Sequence, residues 1–211
     1  MKKHFSKKYS RKRYIVYLFV LVVIGLDQAT KMWVHFNLGK GFLQEIVIAK
    51  NWLKIQYQLN PGMAFGVEWG MVYGKLALTL FRLAATIGIF YYLRKLIKHN
   101  AHLGLIFSIA LILAGALGNL VDSTFYGVLL NNAPVDAITP WFHGQVIDMV
   151  YIDLIGGYFP SWLPLVGGKY APATVFNIAD AAIFIGVIII IVCQKHFFAK
   201  KHAGKYSTIT K

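Results

Sequence analysis

The sequence predicts an all-α membrane protein with four transmembrane helices, a small β-sheet cradle and loops on the extracytoplasmic side. Of its 211 residues, 57% are hydrophobic and only 14% are charged, a balance too apolar for an ordinary water-soluble domain. A helix needs about 20 mostly apolar residues to cross the hydrocarbon core of a bilayer. Four stretches qualify, at about 14–36, 72–93, 103–121 and 175–193. We therefore expect one integral membrane domain, residues 1–211, with both ends on the same side.

The positive charge lies where a membrane protein carries it. The formal net charge is +14, and 15 of the 22 Lys and Arg residues precede the first predicted span or follow the second and fourth. The positive-inside rule then places both termini and the connection between the second and third helices in the cytoplasm. The basic head resembles a secretory signal, but its apolar stretch is longer than a signal core and carries Asp27 and Lys31, so we interpret it as a retained anchor. The charge indicates contact with anionic lipid and no binding of nucleic acid.

Two extracytoplasmic segments, about 37–71 and 122–174, contain most residues outside the spans. In the first, residues 45–49 and 52–59 are rich in β-branched and aromatic types with a period near two, which predicts strands. Asn60-Pro61-Gly62 then predicts a turn. The second segment is rich in Pro, Gly and Trp, a composition that suits the headgroup region. We expect a small sheet on the membrane surface.

Acidic residues are few, and none lies in a predicted cytoplasmic segment. The eight are Asp27, Glu45, Glu68, Asp122, Asp136, Asp148, Asp153 and Asp180. Asp27, Asp122 and Asp180 lie in the outer parts of three different predicted spans. Asp148 has apolar neighbours that would press its segment against the membrane, so it can join them. Ionisable groups at this depth are costly and usually functional.

Two close carboxyl groups can hydrolyse an amide by sharing one proton, because one takes a proton from water while the other donates one to the carbonyl oxygen. The sequence lacks a His-Glu-x-x-His zinc motif, a Gly-x-Ser-x-Gly elbow and a Cys-x-x-Cys pair. We therefore expect no metal and no cofactor. From the residues alone, Asp122 and Asp148 are equal candidates for the catalytic role.

Two other functions are compatible with acids in a helical bundle. A proton-coupled transporter or channel needs polar groups in both halves of the membrane. Here the acids lie in the outer half, and the cytoplasmic halves of the spans are nearly all apolar. A non-enzymatic membrane scaffold would not require paired acids at all. The distribution favours a hydrolase.

Five short motifs follow one another between residues 27 and 180. They are Asp27-Gln28-Ala29-Thr30-Lys31, Asn60-Pro61-Gly62-Met63-Ala64-Phe65-Gly66, Gly115-Ala116-Leu117-Gly118-Asn119-Leu120-Val121-Asp122, Gly144-Gln145-Val146-Ile147-Asp148 and Phe176-Asn177-Ile178-Ala179-Asp180. Each motif alone is a weak signal, but five in this order are specific. Together they resemble the motif regions of the bacterial lipoprotein signal peptidase family, also called signal peptidase II.

The resemblance implies an aspartic endopeptidase of the bacterial inner membrane that removes the signal peptide from prolipoproteins, cutting before a diacylglyceryl-modified cysteine. It implies that Asp148 and Asp180 are the catalytic pair, with the active site near the extracytoplasmic face. It implies supporting or substrate-binding roles for Asp27, Lys31, Asn60, Gly62, Asn119, Asp122 and Asn177. Its partners would be lipid-modified prolipoproteins and membrane lipids, and we expect a monomer.

Simpler roles accompany these assignments. Asp27 and Lys31 are four residues apart on one helix, a spacing that predicts an ion pair. Asn177 is a favoured residue type for a helix N-cap, and this position is compatible with holding Asp180. For Asp122 we expect structural support by hydrogen bonding.

The sequence departs from the family pattern in two motifs. Ser123 stands where the family commonly has arginine, and Gln145 stands where it often has histidine. Residues 131–134 also suggest an inserted turn. Arg82, in the second predicted span, is a candidate to pair with one of the bundle acids.

Overall fold

The computed structural model describes residues 2–39, 41–50, 52–62, 71–153, 157–170 and 173–198, with side chains described from Tyr14 onward except at 41–43 and 71–72. Residues 63–66 of the second motif and the basic tail after Phe198 lie outside these ranges. The elements, in order, are α1 (Lys2–Leu38), β1 (Gly41–Ala49), β2 (Leu53–Asn60), α2 (Met71–Lys98), α3 (Leu103–Val121), a π-helical turn (Asp122–Tyr126), α4 (Gly127–Leu129), β3 (Val146–Ile152), β4 (Thr174–Phe176) and α5 (Ile178–Phe198).

Among the described residues, four helical stretches are long and apolar enough to cross a membrane. They are Tyr14–Leu38, Tyr73–Lys98, Leu103–Leu129 and Ile178–Phe198. An antiparallel sheet of four strands accompanies them. The predicted fold class is therefore confirmed.

All four helical stretches have different bounds from those predicted, and the first two end at Leu38 and Lys98 rather than at 36 and 93. The third continues past residue 121 through the π-helical turn to Leu129, because the polar side chains of Asp122 and Ser123 are bonded inside the bundle. The last begins at Ile178 rather than at 175, because Thr174–Phe176 pairs with β3 as a strand. The β-branched Thr174 and Val175 suit that strand.

Helix α3 is the centre of the bundle. In the most apolar part of its membrane-crossing stretch, 56% of the residues are buried, against 22%, 17% and 17% in the other three stretches. Helix α3 also contacts α1, α2 and α5. Gly118 allows this close approach, because a Cβ there would lie 2.6 Å from Asp27 Oδ2 and 3.1 Å from Ala179 Cβ. The missing side chain thus lets α1 and α5 meet α3 at the depth of the acids.

Two clusters of buried apolar residues stabilise the bundle at different depths. The first joins α1, α2 and α3 through Val16, Val20, Leu93, Ile97, Leu105, Ile106, Ile109, Ala110, Leu113 and Ala114. The second packs the sheet against α1 through Val34, Leu38, Tyr57, Tyr126, Ile147 and Met149. Asp27 and Lys31 lie between the two clusters along α1. The polar residues therefore form a layer enclosed on both sides by apolar packing.

The sheet is an antiparallel meander in the order β1-β2-β3-β4. Strands β1 and β2 correspond to the two predicted strands. Asp148, which the sequence places in the second extracytoplasmic segment, lies in the unpredicted strand β3, opposite Gln58 of β2. Val150 of β3 pairs with Phe176 of β4, and α5 begins two residues after Phe176. This pairing brings Asp148 and the first turn of α5 together, although they are distant in sequence.

Candidate active site

Asp148 is buried in the middle of β3 and both of its oxygens accept hydrogen bonds. Its side chain is only 2% exposed. Asn60 Nδ2, at the end of β2, donates to Oδ2 at 2.9 Å, and Asn177 Nδ2 donates to Oδ1 at 2.7 Å. Two amides from different elements therefore fix the orientation of this carboxyl group.

Asp180 lies in the first turn of α5, where its carboxylate accepts two hydrogen bonds. Asn119 Nδ2 donates to Oδ1 at 2.7 Å, and the backbone N–H of Asn177 donates to Oδ2 at 3.3 Å. In return, Asp180 N donates to Asn177 Oδ1 at 2.8 Å. This reciprocal pair is a capping box that starts α5.

Asn177 is the residue that joins the two acids. Its side chain caps α5, as predicted, and its Nδ2 also lies within 3.2 Å of Asn119 Oδ1 as well as bonding Asp148. Asp148 and Asp180 therefore share a bonding partner in one site, and the charge of Asp180 acts on Asp148.

The surroundings of Asp148 favour its protonated form. Burial, followed by the negative charge of Asp180, raises the pKa of its carboxyl group, which lies at about 6. The hydrogen bonds from Asn60 and Asn177 and the charge of Lys31 lower this pKa. Burial is the largest of these effects, so Asp148 retains a proton at a higher pH than an exposed aspartate does.

A buried cluster of charges lies beneath the two acids. Lys31 Nζ is 2.7 Å from Asp27 Oδ2 and 2.7 Å from Asp122 Oδ2, and these three side chains are at most 1% exposed. The predicted pair of Asp27 and Lys31 is thus present, and Asp122 joins it. Lys31 Nζ also donates to Asn119 Oδ1 at 3.1 Å. The cluster reaches Asp180 through Asn119.

Asp27 also fixes the start of α5 from a different helix. Its Oδ1 accepts a hydrogen bond from the backbone N–H of Ala179 at 2.8 Å. The first turn of a helix has free N–H groups and a partial positive charge, so a carboxylate there is favourable. Asp27 therefore helps to hold the turn that carries Asp180.

Two residues of this network were missed by the sequence analysis. Gln28 Nε2 donates to Asp122 Oδ1 at 2.9 Å, and Tyr126 Oη donates to Gln28 Oε1 at 2.8 Å. Gln28 lies within the first motif, so its polarity inside an apolar span was a usable signal. Tyr126 had none, because it meets Gln28 only through the π-helical turn.

Asn60 and Gly62 form a turn that supports Asp148. Asn60 Oδ1 accepts the backbone N–H of Gly62 at 2.7 Å while its Nδ2 bonds Asp148. Gly62 has φ of +88°, a conformation that side chains disfavour, and a Cβ there would collide with Leu78 of α2. A contact of this turn with substrate stays a prediction.

The positions that depart from the family pattern have specific contacts. Ser123 Oγ accepts a hydrogen bond from Arg82 Nη1 at 2.6 Å. Gln145 is tied to Asn132 of the inserted segment, because Gln145 Nε2 donates to Asn132 O at 2.8 Å and Asn132 Nδ2 donates to Gln145 O at 3.0 Å. The segment before β3 is therefore fixed to the start of that strand.

No group of three His, Cys, Asp or Glu side chains that could hold a metal ion occurs within the part of the chain that the structure describes. The chemistry available to the described site is that of two carboxyl groups, their amide donors and the neighbouring cations.

Comparison with known proteins gives consistent matches over most of the chain. A family model described as signal peptidase (SPase) II matches residues 19–196. A lipoprotein signal peptidase of Amoebophilus asiaticus is 45% identical over 188 residues, which cover 88% of this chain and 80% of the relative. A lipoprotein signal peptidase of Porphyromonas gingivalis is 40% identical over 193 residues, which cover 85% and 82%.

The fold has solved counterparts as well. One structure, described as a bacterial membrane enzyme studied by the in meso method, is 27% identical with a TM-score of 0.57 and covers 85% of this chain and 92% of that chain. A second structure of the same description is 26% identical with a TM-score of 0.57. The family match includes all five motifs. It also includes all four membrane-crossing stretches except residues 14–18 and 197–198. The chain therefore belongs to the signal peptidase II family, and it is a multi-pass membrane hydrolase of the aspartic signal peptidase type.

Proposed function

We propose that this chain removes signal peptides from prolipoproteins by cutting immediately before a diacylglyceryl-modified cysteine, with Asp148 and Asp180 as the catalytic pair. The observation that carries this proposal is the shared bonding of the two carboxyl groups to Asn177 within a buried polar layer. The relatives named lipoprotein signal peptidase support the choice of substrate.

The proposed reaction begins with one proton on the pair. In the reactive state this proton is on Asp148, whose pKa is raised to about 6, chiefly by burial. Asp180 takes a proton from water as the water oxygen attacks the scissile carbonyl carbon, and Asp148 donates its proton to the carbonyl oxygen. The C–N bond of the resulting diol then breaks. The leaving nitrogen takes the proton from Asp180, and a diol hydroxyl returns a proton to Asp148, which restores the pair.

The supporting residues fix the orientation of the two catalytic carboxyl groups. Asn60, Asn119 and Asn177 donate to the carboxyl oxygens and so limit the rotation of both groups. The cluster of Asp27, Lys31 and Asp122 holds α1 and α3 in place around the start of α5. Preorganised polar groups of this kind lower the cost of reorganisation during the reaction.

We further propose the inner membrane of a bacterium as the location, with both termini cytoplasmic and the pair near the extracytoplasmic face. The lipid chains of the substrate would stay in the bilayer beside the helices, so membrane lipids are partners too. The hydrogen bonds that hold Asp180 and the start of α5 come from residues of the same chain, which supports a monomer with a single membrane domain.

The test is cleavage of a diacylglyceryl-modified peptide carrying a fluorescent reporter by purified protein in detergent. Asp148→Asn and Asp180→Asn each keep the side-chain shape but remove the ionisable group. We expect each to lower kcat by about a thousandfold or more, since general acid and base catalysis contributes on this scale. Binding of the lipopeptide, measured by fluorescence polarisation, should change little.

Asp136→Asn is the matched control, because Asp136 is an exposed acid just after the inserted turn at 131–134. It should cleave at the wild-type rate. Wild-type turnover by either Asp148→Asn or Asp180→Asn would refute the assignment of the catalytic pair.

A further inference from the structure

Arg82 is the cation of α2 that reaches the polar layer. It lies well inside the membrane-crossing stretch Tyr73–Lys98, and its Nη1 donates to Ser123 Oγ at 2.6 Å. Ser123 is fully buried and directly follows Asp122, and its Oγ donates to the backbone oxygen of Asn119 at 2.9 Å. The guanidinium group is therefore held against the part of α3 that also supports Asp180.

The position of Arg82 relative to the catalytic pair follows from its electrostatic neighbours. Its acidic neighbours are Asp180, Asp122 and Asp148. A Cβ on Gly62 would lie 3.6 Å from Arg82 Nη2. The guanidinium is thus near the turn that supports Asp148, and the two catalytic acids are among its neighbours.

Arg82 has more N–H donors than there are hydrogen-bond acceptors for it among the described residues. A guanidinium carries five N–H donors in a planar fork. Within the described ranges, Ser123 is its one hydrogen-bond acceptor, and the side chain is only partly buried. A cation at membrane depth is costly, so its remaining donors favour an additional acceptor. Four acidic side chains already face the site, so a neutral acceptor fits better than another anion.

A peptide substrate supplies such acceptors in its main-chain carbonyl oxygens. We propose that Arg82 is a substrate-binding residue that donates hydrogen bonds to a substrate carbonyl beside the scissile amide while its charge assists ionisation of the catalytic pair. This inference rests on the proposed function. The family commonly has arginine at the position after Asp122, where this chain has Ser123. In this chain, Arg82 of α2 supplies the cation instead.

The charged groups facing this site come from every element packed around it. They are Asp27 and Lys31 of α1, Lys75 and Arg82 of α2, Asp122 of the π-helical turn, Asp148 of β3 and Asp180 of α5. Lys31 is neutralised by direct ion pairs with Asp27 and Asp122. Loss of Arg82 therefore removes positive charge that these pairs do not replace.

The experiment measures kcat, KM and the pH dependence of kcat/KM on the lipid-modified peptide with purified protein. For Arg82→Met we expect kcat/KM to fall by about 10- to 100-fold, mainly through KM, as for loss of a charge-assisted hydrogen bond. The upper pH limit of activity should also move up by about one unit, because removing a nearby cation raises the pKa of a carboxyl group. A purely structural role would not move this limit.

Relocating the arginine gives the sharper variant. In Arg82→Ser/Ser123→Arg the composition is unchanged, and the contact between the two side chains places the new guanidinium near the old one. We expect this double variant to recover at least about tenfold of the lost kcat/KM and the wild-type pH limit, since the same charge-assisted bond is restored. Ser123→Ala keeps the cation and should stay within about threefold of wild type, as for a single neutral hydrogen bond.

Arg94→Met is the matched control, because Arg94 is an exposed arginine at the other end of α2, and it should not change activity. If Arg82→Met has wild-type kcat/KM and pH limit while Asp148→Asn is inactive, the inference about Arg82 is wrong and the proposed function stands. If Asp148→Asn is active, the proposed function fails instead. If Arg82→Met does not fold, a folded but inactive relocation variant overturns the inference.

Discussion

At the scale of single residues, Asn177 shows why an amide is needed between the two acids. Its Nδ2 donates to Asp148 Oδ1, and its Oδ1 accepts the backbone N–H of Asp180. Aspartate would lack the donor and add a third carboxylate beside Asp148. Glutamine has one more methylene group, which suits it less well to a helix N-cap. Asparagine satisfies both requirements with one short side chain.

Asn60 should tune the pH range of the enzyme. Its hydrogen bond to Asp148 favours the charged carboxylate and so lowers a pKa that lies at about 6. In Asn60→Ala that pKa should rise, so the pair keeps its shared proton to higher pH. We expect the alkaline limb of kcat/KM to move upward by about half a unit to one unit. The measurement is a pH profile of peptide cleavage under conditions well below KM.

Lys54→Met is the control for this change, because Lys54 lies on the same strand and pairs with Glu45 on the surface. Such exposed pairs have little effect at a distance. Its pH profile should match the wild type. An unchanged limb in Asn60→Ala, or one displaced to lower pH, would show that the bond from Asn60 does not control Asp148.

At the scale of elements, strands β3 and β4 are the parts that sequence patterns described least well. A three-residue strand such as β4 is too short to show a period of two, and an apolar run such as the one around Asp148 does not distinguish a buried strand from other buried segments. Both elements form because β3 pairs on each side with other strands. The prediction for Asn177 succeeded because an N-cap depends only on local sequence.

Variants of Asn177 should separate helix capping from support of the catalytic pair. Serine is a good N-cap, so Asn177→Ser should keep the start of α5 but lose the bond to Asp148. Asn177→Ala should lose both, with about 1 kcal/mol less stability than the serine variant. We expect kcat/KM to fall by about tenfold or more in both, since Asp148 loses an orienting donor. Thermal unfolding in detergent and peptide cleavage are the two measurements.

Asn177→Ser should lose activity while keeping most of its thermal stability, whereas Asn177→Ala should lose both. Full activity in Asn177→Ser would contradict a role for Asn177 in orienting Asp148. Equal unfolding temperatures for the two variants would contradict its role as a cap.

At the scale of the whole molecule, the polar layer lies between two apolar clusters and includes residues of the four membrane-crossing helices and the sheet. Four membrane-crossing helices could be predicted because each shows a long apolar stretch in its own sequence. The gathering of acids at one depth could also be predicted, since the spans and the basic flanks fix the direction of each helix. The partners of Gln28, Tyr126 and Arg82 could not be predicted, because these side chains meet them through contacts between helices.

The orientation of the molecule in the membrane is the last prediction. The basic residues that flank the spans place the connection between α2 and α3 in the cytoplasm and residues 157–170 outside, because positive flanks are retained on the cytoplasmic side. Starting from Cys193→Ser, single cysteines at two exposed positions, His99→Cys and Ser161→Cys, provide one probe on each side. A membrane-impermeant maleimide applied to intact spheroplasts should label the protein with Ser161→Cys at once and the one with His99→Cys only after the membrane is permeabilised. The reverse pattern would place the catalytic pair on the cytoplasmic side and exclude substrates that have already crossed the membrane.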